Sequence, residues 1–466
     1  MSDDQATSFW APVINKTAGP VYLAIADALQ VDIRAGRLKA GTRLPPQRAL
    51  AEALGIDFTT VTRAYAEARK RGLVEGRVGQ GTYVSEGAPP RPQRPATSGL
   101  VDMSMNLPPR FDDEALRARM WRGIGGLEAN EGLDLLLRYQ HPGGAIRDRE
   151  AGADWLAGRL PGLAPERILV CPGAQGALLA VASMLTAPGD IVCAETLTYP
   201  GFLSVAAHLR LTVVGVETDD KGLIPEAFEQ ICVSRRPKAL YCNPTINNPT
   251  TITLSLSRRK AILDIAARYD VAIIEDDAYG ALPMKPVAPL AALAPERVYH
   301  IAGLAKCLSP ALRIAYLVVP DLRAATRLAG IIRATSAMAS PLSAAIASRW
   351  IEDGTAEAVL AAIRRETRER QAIAAELLPA TYLLADPEGF HIWLRLPAAW
   401  SRGEFSTRLR SAGIGVVASD AFAVGPAPEA VRLGLGAAES HDHLRQSLGI
   451  VADLLAEVPA ASIIVI

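Results

Sequence analysis

Tyr299-His-Ile-Ala-Gly-Leu-Ala-Lys306-Cys-Leu-Ser-Pro-Ala-Leu-Arg313-Ile-Ala-Tyr316 decides the reading of this chain. An apolar, strand-like run delivers a lysine, and an arginine follows seven residues later. A Schiff base to pyridoxal phosphate needs that pair: an amine to attack the aldehyde and a fixed guanidinium to hold the phosphate. Lysine and arginine are common, so the spacing alone carries little. Two upstream stretches raise its weight: Ile273-Ile-Glu-Asp276-Asp-Ala-Tyr279-Gly and Asn243-Pro-Thr-Ile-Asn-Asn248-Pro-Thr250.

Each of these residues has a chemical use and a plainer one. Asp276 ends an apolar strand, where a carboxylate pairs with a protonated pyridine nitrogen or simply closes the strand. Tyr279 and Asn248 suit hydrogen bonds to the cofactor's ring oxygen, although Asn-Pro usually marks a turn. Leu169-Val-Cys-Pro-Gly173-Ala174-Gln175-Gly176-Ala-Leu178 reads as strand, glycine turn and helix start. Free amides at such a helix start bind phosphate, and an ordinary strand-to-helix turn has the same pattern. Tyr199, in Glu195-Thr-Leu-Thr-Tyr199-Pro-Gly201, either stacks on a cofactor ring or packs in the core.

The 466 residues predict two or three domains, and half of them are hydrophobic, enough for a large core. The formal charge of +0 gives no global pull toward nucleic acid or membrane, so any DNA contact must be local. The five cysteines show no metal-ligand or paired spacing, which predicts a reducing compartment and no metal. Met1-Ser-Asp-Asp-Gln5 is not signal-like, and no apolar run, Ala461-Ser-Ile-Ile-Val-Ile466 included, reaches the ~18–20 residues of a spanning helix. A cytoplasmic protein is expected.

Composition breaks the chain in three. Residues 1–86 read as an N-terminal unit, 87–100 as a proline-rich linker and 101–466 as a large α/β unit. In the first part, Pro20–Arg34 carries apolar residues at helical spacing, and Pro46–Leu54 is a short helix expected to begin at its proline. Gly55-Ile-Asp57 turns the chain into a second helix, Thr59–Arg71, with Asp57 as its cap. Leu73–Val84, with Gly79 and Gly81, then reads as a two-stranded wing. Helix, glycine turn and helix is the helix-turn-helix order, which a small helical dimerisation unit shares.

Gly36-Arg-Leu, Gly41, Leu44-Pro45, Arg48, Leu50-Ala51, Thr60-Val61, Ala64-Tyr65, Gly72-Leu73-Val74 and Gly79-Gln-Gly-Thr-Tyr-Val84 together resemble a GntR-type winged helix. The resemblance implies that Arg48 grips a phosphate, that Thr59, Thr60 and Arg63 lie near the groove, and that Gly81 places the wing tip. Phe58 stands where the family usually has arginine or another polar reader. That loss shifts readout toward apolar contact with a thymine methyl.

Residues 101–466 resemble a class I/II aminotransferase of fold type I: a mainly parallel large domain with a smaller α+β C-terminal subdomain. The resemblance makes Lys306 the Schiff-base lysine, Asp276 the pyridine partner, and Asn248 and Tyr279 the ring-oxygen partners. Ala174, Gln175 and Arg313 become the phosphate cradle and Tyr199 the stacking ring. Tyr139, ahead of His-Pro-Gly-Gly144, matches a tyrosine that reaches the neighbouring subunit's phosphate, and Arg432 the clamp for a ligand α-carboxylate. Gly303, Ala305 and Thr251 depart from the pattern, where serine or threonine, serine and glycine are usual. Losing those hydroxyls weakens phosphate anchoring.

Winged helix, linker and aminotransferase-like domain in one chain resemble the MocR subfamily of bacterial transcription regulators. The resemblance implies binding to double-stranded operator DNA and a domain-swapped homodimer. It also implies that pyridoxal 5'-phosphate senses an amino compound by external aldimine formation. The alternatives are an active aminotransferase with a vestigial DNA-binding domain and a regulator that has lost the cofactor.

Overall fold

Val21–Arg34 is the first helix of the structure, a computed structural model that describes residues 10–12, 20–34, 37–77, 81–85, 101–127 and 134–457. Met1–Gln5, Gly36, Gly79, the linker 87–100 and Ala461–Ile466 lie outside the described residues. The chain divides into two compact units, Met1–Ser98 and Gly99–Ile466. No helix among the described residues is long and apolar enough to cross a membrane.

In the smaller unit, Ile25, Ala26 and Leu29 share one face of the first helix and are buried. The second helix is Gln47–Leu54, one residue later than expected. Pro46 takes the cap position, and its carbonyl accepts the Leu50 amide at 3.0 Å. Gly55 ends that helix at φ 60°, a left-handed conformation that glycine adopts without steric cost. Asp57 then caps Phe58–Lys70, its carboxylate accepting the Thr59 amide at 2.7 Å. The strands Val74–Arg77 and Gly81–Val84 pair antiparallel, Val74 opposite Val84. Leu44, Leu50, Val61, Tyr65, Leu73 and Val84 close the core between helices and hairpin.

The larger unit is built on seven strands. Their order across the sheet is Ile168–Cys171, Ala315–Val318, Val298–Gly303, Ala272–Asp276, Ala239–Cys242, Ile191–Glu195 and Thr212–Val216. Ala315–Val318 runs antiparallel to both neighbours, and the other neighbouring strands of this sheet pair parallel. The strands are nearly continuous apolar runs because helices cover both faces. Gly173–Leu185 and Leu322–Ser336 pack on one face, Leu256–Arg268 and Pro341–Glu352 on the other.

A second sheet, of Leu383–Ala385, His391–Arg395, Ala430–Gly434 and Val417–Ala418, is wholly antiparallel. It forms a third core with Arg402–Ser411 and His441–Ala456. The chain enters the larger unit through Val101–Asp102, which pairs parallel with Ile414–Gly415 of this smaller layer.

Candidate functional site

Carboxyl ends of parallel strands are where open α/β sheets collect ligands, and the residues singled out in the sequence converge there. Asp276 ends the strand Ala272–Asp276 and is 4% exposed. Tyr241, on the neighbouring strand, donates its hydroxyl to Asp276 Oδ2 at 2.9 Å, and Oδ1 has no partner. Burial pushes this carboxyl up to about 6. One strand over, Val298–Gly303 leads into Lys306, whose Nζ donates to the carbonyl of Asn106. Burial and then the nearby Arg432 push the Lys306 amine down to about 8, with Asp276 opposing them.

The phosphate end is organised by glycine. Gly173 opens the helix Gly173–Leu185 at φ 75°, and a Cβ there would come within 3.0 Å of Arg313 Nη2. Its absence lets the guanidinium lie against the helix start, which carries free amides and the positive end of the helix dipole. Ala174 and Gln175 are the next two residues, and the Gln175 side chain turns away to donate to the Gly201 carbonyl at 2.7 Å. The register Cys171–Ala315–Gly303 brings Gly303 alongside this turn. A Cβ on Gly303 would meet only Ala174 Cβ, at 3.4 Å, so packing does not impose glycine here. Thr251 is different. It is buried at φ 65°, the left-handed region that explains why glycine is usual there.

At the opposite end, Tyr279 is buried and its hydroxyl accepts Asn106 Nδ2 at 2.7 Å. That leaves the Tyr279 proton to donate elsewhere. Asn248 Oδ1 accepts Arg432 Nη1 at 3.3 Å, which leaves the Asn248 amide free to donate. Arg432 also donates to the Ser104 carbonyl and lies 5.4 Å over the Phe422 ring. Tyr199 caps the helix Pro200–His208 and turns its ring onto Gly201, where a Cβ would collide with it. Tyr139 is 89% exposed in the single chain, apart from this cluster.

Sequence reasoning missed four groups. Tyr241 lay inside an apolar run and read only as strand. Asn106 is 200 residues upstream of Lys306, in a stretch with no motif. His391 is buried against the Tyr279 ring, with Nε2 3.0 Å from the Asn247 carbonyl and Nδ1 bare. Burial, then Arg432, pushes it down to about 3, so the imidazole is neutral. Glu195, at the end of its strand, is pushed up to about 7 by burial and accepts from Asn247 at 3.4 Å.

The residues fit pyridoxal phosphate on this geometry. A buried carboxylate offers one bare oxygen, a lysine amine is partly neutral at physiological pH, and a glycine-cleared helix start faces a guanidinium.

On the smaller unit, Phe58 is 42% exposed and Arg48 lies 5.8 Å over its ring. Thr60 is half-buried, and Arg63 lies 5.2 Å over Tyr22. The Thr59 hydroxyl is already held by Asp57 and serves the helix cap. Two further arginines went unread in the sequence. Arg43 covers Gly81, which sits at φ 114° and would bring a Cβ 3.2 Å from Arg43 Nε. Arg69 covers Gly76, where a Cβ would lie 2.7 Å from its guanidinium. Among the described residues, Arg43, Arg48, Arg63 and Arg69 are exposed and have no carboxylate partner.

Comparison with known proteins agrees with this division. Residues 21–84 match the family of bacterial regulatory proteins, gntR family, and residues 126–449 match aminotransferase class I and II. The chain is 31% identical over 451 residues to the HTH-type transcriptional regulator YdeF of Bacillus subtilis, covering 96% of each. It is 29% identical to the probable rhizopine catabolism regulatory protein MocR of Rhizobium meliloti, covering 76% of each. Among solved structures, kynurenine aminotransferase from Pyrococcus horikoshii aligns with a TM-score of 0.70 at 24% identity, over 77% of this chain and 91% of that one. The α-aminoadipate aminotransferase LysN from Thermus thermophilus aligns with a TM-score of 0.69 at 22% identity, over 77% and 92%. A gntR-family winged helix joined to a class I and II aminotransferase unit, in a chain whose relatives are regulators, makes this protein a member of the MocR subfamily of GntR-type transcription regulators.

Proposed function

We propose that this regulator holds pyridoxal phosphate at the strand ends around Lys306 and uses it to sense an amino compound. The observation that carries the reading is the bare Oδ1 of Asp276, a buried acceptor that Tyr241 leaves unused. A buried polar atom without a partner calls for one, and a pyridinium N–H is that partner. Bound there, the cofactor supplies an aldehyde carbon that accepts amines and a ring that draws electrons from it.

The chain's own residues do the rest. Asp276 holds a proton at the ring nitrogen, while Asn248 and Tyr279 donate to the ring oxygen. Tyr199 covers the ring face. Ala174, Gln175 and Arg313 hold the phosphate through amides and charge. Lys306 competes with the ligand's amine for one carbon, and Arg432 receives the ligand's carboxylate. Arg432 now rests on two neutral acceptors, Asn248 Oδ1 and the Ser104 carbonyl, which a carboxylate outcompetes. Tyr139 would serve a second copy in a homodimer. Trp121, Leu137 and Tyr139 expose 71%, 71% and 89% of their surface, an apolar set suited to self-association. The winged helix of residues 1–86, tethered through 87–100 to the sensor at 101–466, binds operator DNA with Arg48, Phe58, Thr59, Thr60, Arg63 and the wing at Gly81.

The test mixes purified protein, pyridoxal phosphate, candidate amino acids and a keto acid, and follows visible absorbance, borohydride fixation at Lys306, operator binding and keto-acid consumption. The expected outcome is a yellow protein fixed at Lys306, with an amino compound that changes operator binding. Fast turnover with no effect on operator binding would instead identify an aminotransferase.

A further inference from the structure

We propose that the segment Ser104–Asn106 is a latch whose Ser104 carbonyl competes with the ligand's carboxylate for Arg432, so that ligand binding loosens the segment just inside the chain's entry into the larger unit. The inference rests on the sensor reading above and adds its regulation.

The chain enters the larger unit at Val101–Asp102, and Met103 is fully buried. The Met103 carbonyl accepts the Gly434 amide at 2.7 Å. The next residues cross the strand Ala430–Gly434 so closely that a Cβ on Gly434 or Gly436 would strike the carbonyls of Met105 or Leu107. Glycine at these two positions lets the segment reach the site.

There it touches the cation that a ligand's carboxylate needs and the lysine that holds the cofactor. The Ser104 carbonyl accepts Arg432, and the Asn106 carbonyl accepts Lys306. Asn106 adds a third tie by donating Nδ2 to the Tyr279 hydroxyl at 2.7 Å. Arg432 cannot give the same N–H to Ser104 and to a carboxylate. Lys306 rests on Asn106 only while its amine is free, not while that nitrogen is bonded to the cofactor. The Ser104 tie therefore yields to the ligand's carboxylate, whereas the Asn106 tie to Lys306 is open while the lysine holds the cofactor and re-forms when an amine displaces it. Met103 and Asn106 stay buried, but the outer side chains Met105, 54% exposed, and Leu107, 36%, add little to hold residues 104–107 once the Ser104 tie is lost.

Two stable probes differing in one group test the latch: N-phosphopyridoxyl-L-alanine and N-phosphopyridoxyl-ethylamine, each added to the cofactor-free full-length protein. Both leave Lys306 free, and only the first carries a carboxylate for Arg432. Amide hydrogen exchange over 101–108 should be about tenfold faster with the alanine probe. Operator affinity should also differ between the two complexes. Arg432→Ala should remove both differences. Asn106→Ala, which cuts the tie to Tyr279, should bind the alanine probe about threefold to tenfold more tightly than wild type, because the competitor is weakened. If both probes bind and exchange over 101–108 is the same, the latch is refuted and the sensor site stands. If neither binds, the site reading fails and the latch with it.

Discussion

Tyr241 donates its hydroxyl to one oxygen of Asp276 at 2.9 Å and leaves the other oxygen bare. A carboxylate buried with half its capacity unmet prefers to be neutral, and burial pushes Asp276 up to about 6. A carboxyl raised on folding contributes stability that is present below its unfolded value and is lost as pH rises through its folded one.

The first prediction follows from that sign. Cofactor-free protein loses stability through Asp276 as pH rises from about 4 to about 6. Asp276→Asn keeps an acceptor for Tyr241 and removes the charge. The variant should therefore be more stable than wild type at pH 8 by something on the order of 2–3 kcal/mol, and no more stable at pH 4. Urea melts of both proteins at the two pH values measure it. Equal differences at both would place the effect in packing and not in titration.

The second concerns Lys306, held at about 8 mainly by burial and then by Arg432. Only the neutral amine attacks an aldehyde. The rate of cofactor capture, followed by visible absorbance, should rise from pH 6 to 9 with a midpoint near 8. Arg432→Ala removes a neighbouring positive charge and should move the midpoint upward. A midpoint that stays put would take Arg432 out of the lysine's electrostatic surroundings.

The sequence made some of this legible because it is local. Asp276 and Lys306 follow apolar strands, and Gly173 marks a strand-to-helix turn, so their neighbours in sequence set their place in space. Tyr241, Asn106, His391 and Glu195 escaped notice because their roles depend on which strands lie side by side and on a segment that returns from far upstream. Apolar periodicity does not encode that adjacency. The reversed strand Ala315–Val318 was likewise invisible: its residues read as any buried strand, and direction is set by the turn from Lys306 to Arg313. In the smaller unit the helix and hairpin pattern was plain, whereas Arg43 and Arg69 gain meaning only from the glycines they cover.

Gly303 yields the third prediction. A Cβ there makes one ordinary contact, with Ala174 Cβ at 3.4 Å, and the residue is not left-handed. Gly303→Ser should fold normally and place a hydroxyl beside the start of the helix Gly173–Leu185. A hydrogen bond to a charged phosphate is worth about 1.5–3 kcal/mol, so cofactor affinity should rise by about tenfold or more. A titration of visible absorbance measures it. Unchanged affinity would mean that the phosphate does not sit against Gly303.

The last prediction separates contact from architecture on the winged helix. Net charge is +0, so binding to DNA must rest on a few local cations. Among the described residues Arg48 has no carboxylate partner but leans on Phe58, and Arg43 leans on Gly81. Replacing either with alanine should weaken binding to every DNA sequence alike and lower the slope of log affinity against log salt by about one unit, the signature of one phosphate contact. Phe58→Ala should act differently. It removes no charge, so the salt slope should hold. Discrimination between thymine and cytosine at one operator position should fall, because an apolar side chain reads the thymine methyl. It also strips the support under Arg48, so a small uniform loss comes with it. Arg63→Ala is the internal comparison: its guanidinium lies on Tyr22 of the first helix, and a part of its cost should appear as lost thermal stability. Fluorescence anisotropy at several salt concentrations, on the operator and on a scrambled duplex, measures all four variants. If Arg43→Ala and Arg48→Ala leave the slope unchanged on both duplexes, this face of the winged helix does not meet the phosphates.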